Sequence, residues 1–210
     1  MSLAAFILTS GLLGGAPAAV PGLNAPPPTA DSVATALFAG GSFWCLEPVF
    51  EKLVGVDSAR AGYAGPSGAP PTFDLVTSGA SGYVEAVQVF YHPKRIRYAA
   101  LLDAYWRNID PTRADGQFSD AGPAYRTIVY YQGPKEKQAA ELSRKKLDRS
   151  KRFSKPVATE ILPAETFFPA EAEHQDYYRK AAVRYRAYYK FSGREDFLKK
   201  AWGRPPVVPR

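Results

Sequence analysis

Between Val33 and Leu53 an alternating segment, a pair of glycines and a helical segment follow one another, and this unit restricts the folds open to the chain. Val33 to Ala39 alternates as a strand does, and Gly40-Gly41 supplies a turn with no side chains in the way. Trp44, Leu46, Val49, Phe50 and Leu53 then recur at close to helical spacing. Pro48 is placed in or just after the first turn, where its missing N–H matters least. Backbone N–H groups at such a helix start stabilise a nearby anion or thiolate and lower the pKa of a cysteine. Phe43 and Trp44 beside the turn read, on their own, as ordinary core residues.

The rest of the chain alternates between the same two periods. Gly55 to Tyr63 reads as a strand, Gly65 to Pro71 as a Gly/Pro-rich loop, and Tyr83 to Tyr91 as the clearest strand, stopped by Pro93. Tyr98 to Trp106 has helical spacing and ends before Asp110-Pro111. Pro111 to Ala124 has no period of its own, and long loops of that kind are usually functional. Thr127 to Tyr131 and Val157 to Leu162 are expected strands, with a charged amphipathic helix from Pro134 to Arg149 between them. The Tyr- and Arg-rich C-terminal third is expected to be helical around Ala181 to Tyr189, with a last short helix near Phe197 to Trp202. Strands interleaved with crossing helices predict a two-layer α/β (α+β) sandwich, a mixed sheet with flanking helices in the manner of a ferredoxin-like plait.

Length and charge narrow the possibilities further. The 210 residues suffice for one domain with a substantial core, and neither an internal repeat nor a second domain is visible. Residues 1–33 read as a leader and linker, 34–204 as the folded domain, and 205–210 as a tail. Leu3 to Leu13 is apolar but too short to span a bilayer, and Ala16-Pro17-Ala18 fits the small-residue rule for signal-peptide cleavage. Export to the periplasm or cell exterior is therefore expected. Met1-Ser2 carries no basic residue, so the alternative is a leader on a cytoplasmic protein. Lys and Arg number 27 against 20 for Asp and Glu, a net +7. The densest basic stretch, Arg144 to Arg152, reads as a solvated helix face with no nucleic-acid motif. One cysteine and two histidines allow no intramolecular disulfide and suggest no metal cluster.

Several ordered motifs carry a resemblance. Gly41-Ser42-Phe43-Trp44-Cys45-Leu46-Glu47-Pro48 is followed by Ala61-Gly62-Tyr63-Ala64-Gly65 and by Pro71-Thr72-Phe73 through Thr77-Ser78-Gly79. Gly82-Tyr83-Val84-Glu85-Ala86-Val87, Asp110-Pro111, Gly116-Gln117-Phe118-Ser119-Asp120 with Gly122, and Tyr125-Arg126 come next. Phe167-Phe168, Ala172-Glu173 and His174-Gln175-Asp176-Tyr177 close the series. Together, from about Ala36 to Trp202, they resemble the A-type peptide methionine sulfoxide reductases.

That resemblance implies roles. Phe43 and Trp44 would hold the S-methyl group of the sulfoxide, with Phe73 also lining the substrate site. Glu85 would hand a proton to the sulfoxide oxygen, which requires a carboxyl kept protonated by burial. Asp120, Tyr125 and Tyr177 would line the site, the phenols hydrogen-bonding the substrate oxygen. Ser42 stands where the family carries its attacking cysteine. Read without the resemblance, Glu85 is costly as packing in an apolar strand. Asp120 could simply cap a turn, and Tyr125 and Tyr177 could be core-edge tyrosines.

Departures from the family pattern bear on activity. Phe73 replaces a common tyrosine, Ile109 a common histidine, and no C-terminal resolving cysteine is present. The family reaction leaves oxygen on a cysteine as a sulfenic acid, and an alcohol has no comparable oxidation state. Serine at position 42, an engineered or a natural replacement, should therefore abolish it unless Cys45 substitutes. Cys45 would lie roughly 5 Å further along the helix axis. It reads as a buried packing residue, with a displaced nucleophile, or a resolving thiol in a Ser42→Cys protein, as alternatives.

Three functions are open. The first is an exported, monomeric repair oxidoreductase acting on free or peptide-bound methionine-S-sulfoxide, with no bound cofactor and an external thioredoxin-like or small thiol as reductant. The second is a catalytically silent module that binds methionine sulfoxide, and the third a basic protein that binds anionic lipid or nucleic acid.

Overall fold

A computed structural model describes residues 33–203; the expected leader and the C-terminal tail lie outside the described residues. In chain order the elements are β1 (Ala34–Gly40), α1 (Phe43–Glu51), β2 (Val56–Gly65), α2 (Phe73–Thr77), β3 (Val84–Tyr91) and α3 (Tyr98–Trp106). They continue with β4 (Gly116–Gln117), β5 (Asp120–Ala121), a 3₁₀ turn (Pro123–Tyr125), β6 (Thr127–Tyr131), α4 (Pro134–Arg149), β7 (Glu160–Pro163) and β8 (Thr166–Pro169). The chain ends in α5 (Tyr177–Lys180), α6 (Ala182–Phe191) and α7 (Arg194–Trp202).

The main sheet has the order β7-β6-β1-β3-β2-β8. Its centre, β6-β1-β3-β2, is antiparallel throughout, so the α1 crossover joins two parallel strands, β1 and β2, with β3 inserted between them. This is the expected plait. The mixed character comes from the edge, where β7 runs parallel to β6; at the other edge β8 is antiparallel to β2.

Both faces of the sheet are covered, which explains why β3 is buried along almost its whole length. Val87, Val89 and Tyr91 pack with Phe38, Phe50, Leu101 and Tyr105 on the helix side. Val84 and Ala86 join Leu37, Ala39, Ile128 and Tyr130 on the opposite side. Phe38 anchors the helix-side core, its ring 4.9 Å from that of Phe50 and 5.2 Å from that of Tyr105. Burying such a ring contributes about 2–3 kcal/mol. Because side chains alternate along a strand, Glu85 shares the face of Val87 and points toward α1 rather than outward.

Three expectations need correction. Pro48 lies in the interior of α1, so the Trp44 carbonyl forfeits its partner four residues on. The loop from Pro111 to Ala124 contains the β4–β5 hairpin and leads into the 3₁₀ turn, both too short for a period to show. The strand expected from Val157 begins at Glu160; the Ala158 and Thr159 N–H groups bond instead to the Pro111 carbonyl, at 2.7 and 3.2 Å. Strand β8 was not foreseen, and Pro169 can close it because it lies at the sheet edge.

Candidate active site

Three segments meet at the start of α1. Gly41 turns the chain at φ +79°, and Ser42 takes the N-cap position without a side-chain capping bond. The cap comes from β3 instead: the Phe43 N–H donates to Glu85 Oε2 at 2.9 Å. Glu85 is 1% exposed, and burial, reinforced by the nearby charge of Asp120, raises its pKa to about 8. The bonds from the Phe43 N–H and the Tyr125 hydroxyl pull the other way. At neutral pH Glu85 is mostly a neutral acid, able to give up a proton beside residue 42.

The hairpin and the C-terminal helices close the second side. Asp120, on β5, accepts from the Tyr188 hydroxyl at 2.7 and 2.6 Å on its two carboxylate oxygens. Tyr125 ends the 3₁₀ turn with its phenol against Glu85. Beneath the Gly41 turn, the buried Gln117 side chain binds the Asp110 N–H and carbonyl, both at 2.8 Å, holding the hairpin to the segment that follows α3.

Aromatic rings form the third side. Phe43 is fully buried and backs the cluster, whereas Trp44 and Phe73 remain partly exposed. Trp44 stacks on Tyr177 at 3.9 Å, faces Phe73 at 6.1 Å and meets Tyr188 edge-on at 5.9 Å. His174 stacks on Phe73 at 4.3 Å and lies 5.7 Å from both Phe43 and Trp44. Glu171 ties this wall to the sheet by accepting from the Tyr63 hydroxyl at 2.6 Å and the Phe73 N–H at 3.0 Å. Two surface clefts, of about 500 and 420 Å³, lie away from this site, one by Asp110, Arg113 and Lys155, the other along α4.

Ser42, Phe43, Trp44, Cys45, Glu85, Asp120 and Tyr125 thus surround one helix start. Tyr177 joins through the outer face of Trp44, and it is the Tyr188 phenol, not that of Tyr177, that reaches Asp120. Cys45 is 2% exposed and packs against Tyr178, Tyr185 and Tyr189. Burial pushes its thiol up to about 11, with Arg194 opposing. Only on the order of one such thiol in ten thousand is ionised at pH 7, which argues against a displaced nucleophile. Among the described residues no group of three or more His, Cys, Asp or Glu side chains is placed to hold a metal ion. Within the same residues no helix is long and apolar enough to cross a membrane.

Tyr188, Arg194, His174 and Gln117 escaped sequence reasoning as site residues. The spacing of Tyr185, Tyr188 and Tyr189 does mark one helix face, a signal for Tyr188. Arg194 carried none, because an arginine opening a charged helix reads as solvated.

The family model described as peptide methionine sulfoxide reductase matches residues 34–205. The chain belongs to that family. Peptide methionine sulfoxide reductase MsrA of Halalkalibacterium halodurans is 44% identical over 169 residues, spanning 80% of this chain and 96% of its own length. The Bacillus licheniformis MsrA is 46% identical over 169 residues, 80% and 93% of the two chains. Among solved structures, Corynebacterium diphtheriae methionine sulfoxide reductase A superposes with a TM-score of 0.64 at 27% identity, over 75% of this chain and 84% of that one. Reduced Mxr1 of Saccharomyces cerevisiae gives 0.67 at 26%, over 72% and 87%. The fold is that of the reductases, and the family function is reduction of methionine sulfoxide in peptides, an oxidoreductase activity.

Proposed function

We propose that the start of α1 receives methionine-S-sulfoxide, with Ser42 in the place of the attacking sulfur. The observation that carries this reading is the Phe43 N–H to Glu85 bond, which sets a buried neutral acid next to residue 42. Trp44 and Phe73 present apolar walls for the S-methyl group, backed by Phe43 and flanked by Tyr177. Glu85 protonates the sulfoxide oxygen as sulfur is attacked, and Tyr125 and Asp120 hold the surrounding hydrogen bonds. With a thiolate at position 42, oxygen passes from substrate sulfur to enzyme sulfur. The substrate is reduced by two electrons, and the enzyme is left as a sulfenic acid. Two equivalents of an external thiol, small or thioredoxin-like, then return it to the thiol, releasing water and a disulfide. No bound cofactor takes part.

Ser42 cannot enter this cycle, so the chain as it stands binds the sulfoxide without turning it over. Dabsyl-methionine-S-sulfoxide with dithiothreitol tests the reading: Ser42→Cys should reduce it, and the unaltered chain should not. A folded Ser42→Cys protein with no turnover would overturn the assignment. Calorimetry with a methionine-sulfoxide peptide should show saturable binding to the Ser42 chain, weakened by Phe73→Ala. The Ala16-Pro17-Ala18 motif supports export to the periplasm or exterior. N-terminal sequencing of the mature protein should then begin at Ala19.

A further inference from the structure

Arg194 is a buried charge in this neighbourhood that the proposed reaction leaves unused. It opens α7, is 1% exposed and ranks among the largest fully buried side chains. An isolated buried guanidinium is costly unless it is paired and hydrogen-bonded. Nη1 donates to the Asn108 carbonyl and the side chain lies against the Cys45 thiol; Nε and Nη2 are buried with no other hydrogen-bond partner. The plane rests on the Phe118 ring, with Cζ 4.4 Å from its centroid. Nη2 looks into the turn before α1: a β-carbon built on Gly41 would lie 3.1 Å from it. Two independent sources of positive potential, the N–H groups opening a nine-residue helix and a buried guanidinium, therefore meet at the Gly41 turn that precedes residue 42.

We propose that Arg194 and the N-terminus of α1 form a built anion site whose occupant is a charged sulfur at position 42, the thiolate and then the sulfenate. Arg194 is a positioning residue here: it ionises and orients the sulfur and does not touch the substrate. The Ser42 side chain brings no charge, which leaves the site without its anion. The inference rests on the reading of position 42 given above, but thiol acidity can be measured without any sulfoxide. A depressed thiol pKa without turnover would reject the reaction alone. Turnover with an Arg194-independent pKa would reject only the anion site.

The charges facing this point act in both directions. Arg194 and the helix start favour the anion. Asp120 on the β5 hairpin opposes it, as does Glu85 on β3 once ionised. Cys45 on α1, Tyr125 on the 3₁₀ turn and Tyr188 and Tyr189 on α6 stay neutral near pH 7, their ionisations all moved upward by burial. The experiment follows the rate of iodoacetamide alkylation against pH in Ser42→Cys/Cys45→Ala, where the only thiol is at position 42. Arg194→Gln and Arg194→Lys are then added in turn. Arg194→Gln is expected to raise the midpoint by about one unit or more, a tenfold loss of thiolate below the midpoint, and Arg194→Lys to recover at least half of it. An Arg194→Gln midpoint within about 0.3 units of the parent overturns the proposal, as does an Arg194→Lys midpoint no lower than that of Arg194→Gln. If neither variant folds, the parent midpoint decides: a value at or above about 8.5, that of free cysteine, overturns it.

Discussion

Gly41 carries two constraints at once. Its φ of +79° lies in the left-handed region, and an added β-carbon would stand 2.6 Å from Gln117 Cβ. The Gln117 side chain cannot swing aside, because its amide is bonded to both backbone groups of Asp110. Gly41→Ala should therefore destabilise the protein by at least about 2 kcal/mol, combining backbone strain with overpacking. Denaturant midpoints check this, and an unchanged midpoint would show that the turn tolerates a side chain. Glu85 is constrained by two jobs, capping α1 and holding a proton. Glu85→Gln keeps an acceptor for the Phe43 N–H while removing the acid. In the Ser42→Cys protein it should leave the fold intact and lower kcat/KM by about 10²–10⁴-fold. The fall in activity as pH rises through the Glu85 pKa of about 8 should also disappear from the pH profile.

At the scale of elements, a side chain extends the sheet where no strand is present. Gln175 Oε1 accepts from the Ala61 N–H at 3.0 Å, and Nε2 donates to the Ala61 and Ala170 carbonyls at 2.8 and 2.9 Å. It thus continues the β2–β8 pairing past Pro169, and it positions His174 and Tyr177 against the aromatic wall. Gln175→Ala strands the Ala61 N–H in the core and should cost about 1–3 kcal/mol. Faster hydrogen exchange at Ala61 and Ala170 would locate the loss, and unchanged exchange would refute this role. Periodicity made β1, α1, β3, α3, β6 and α4 legible because each is long enough to repeat and buries one side. It failed at β4, β5 and α5, where two to four residues hold no repeat and hydrogen bonds to distant segments set the conformation.

Across the whole molecule, two buried carboxyls couple stability to pH. Glu47 and Glu85 are each 1% exposed and raised to about 8, chiefly by burial; Glu51 and Asp176 add to the shift at Glu47, and Asp120 to that at Glu85. A folded-state pKa above the unfolded value means that the fold favours the protonated form. Their contribution is complete below the unfolded pKa of about 4.5 and is lost as pH rises through about 8. Unfolding free energy should then decline between about pH 5 and pH 9, by an amount on the order of a few kcal/mol. Glu47→Gln should flatten that decline while keeping an acceptor for the Asp176 N–H. Glu171, held below its ordinary value by the Tyr63 and Phe73 donors against the cost of burial, acts in the opposite sense at acid pH.

Local pattern and motif order were sufficient for the strand–turn–helix unit, the plait, the family, and the grouping of Ser42, Phe43, Trp44, Glu85, Asp120 and Tyr125. The first two are properties of residue type and short spacing, which the chain carries before it folds; the family and the grouping came through the resemblance of the ordered motifs. The neutrality of Glu85, the pinning of Asp120 by Tyr188, the burial of Cys45 and the approach of Arg194 to Gly41 arise only from packing. Each depends on desolvation and on contacts across 40 to 150 residues of chain, where charge, hydrogen bonding and acidity are set by neighbours that no local spacing encodes.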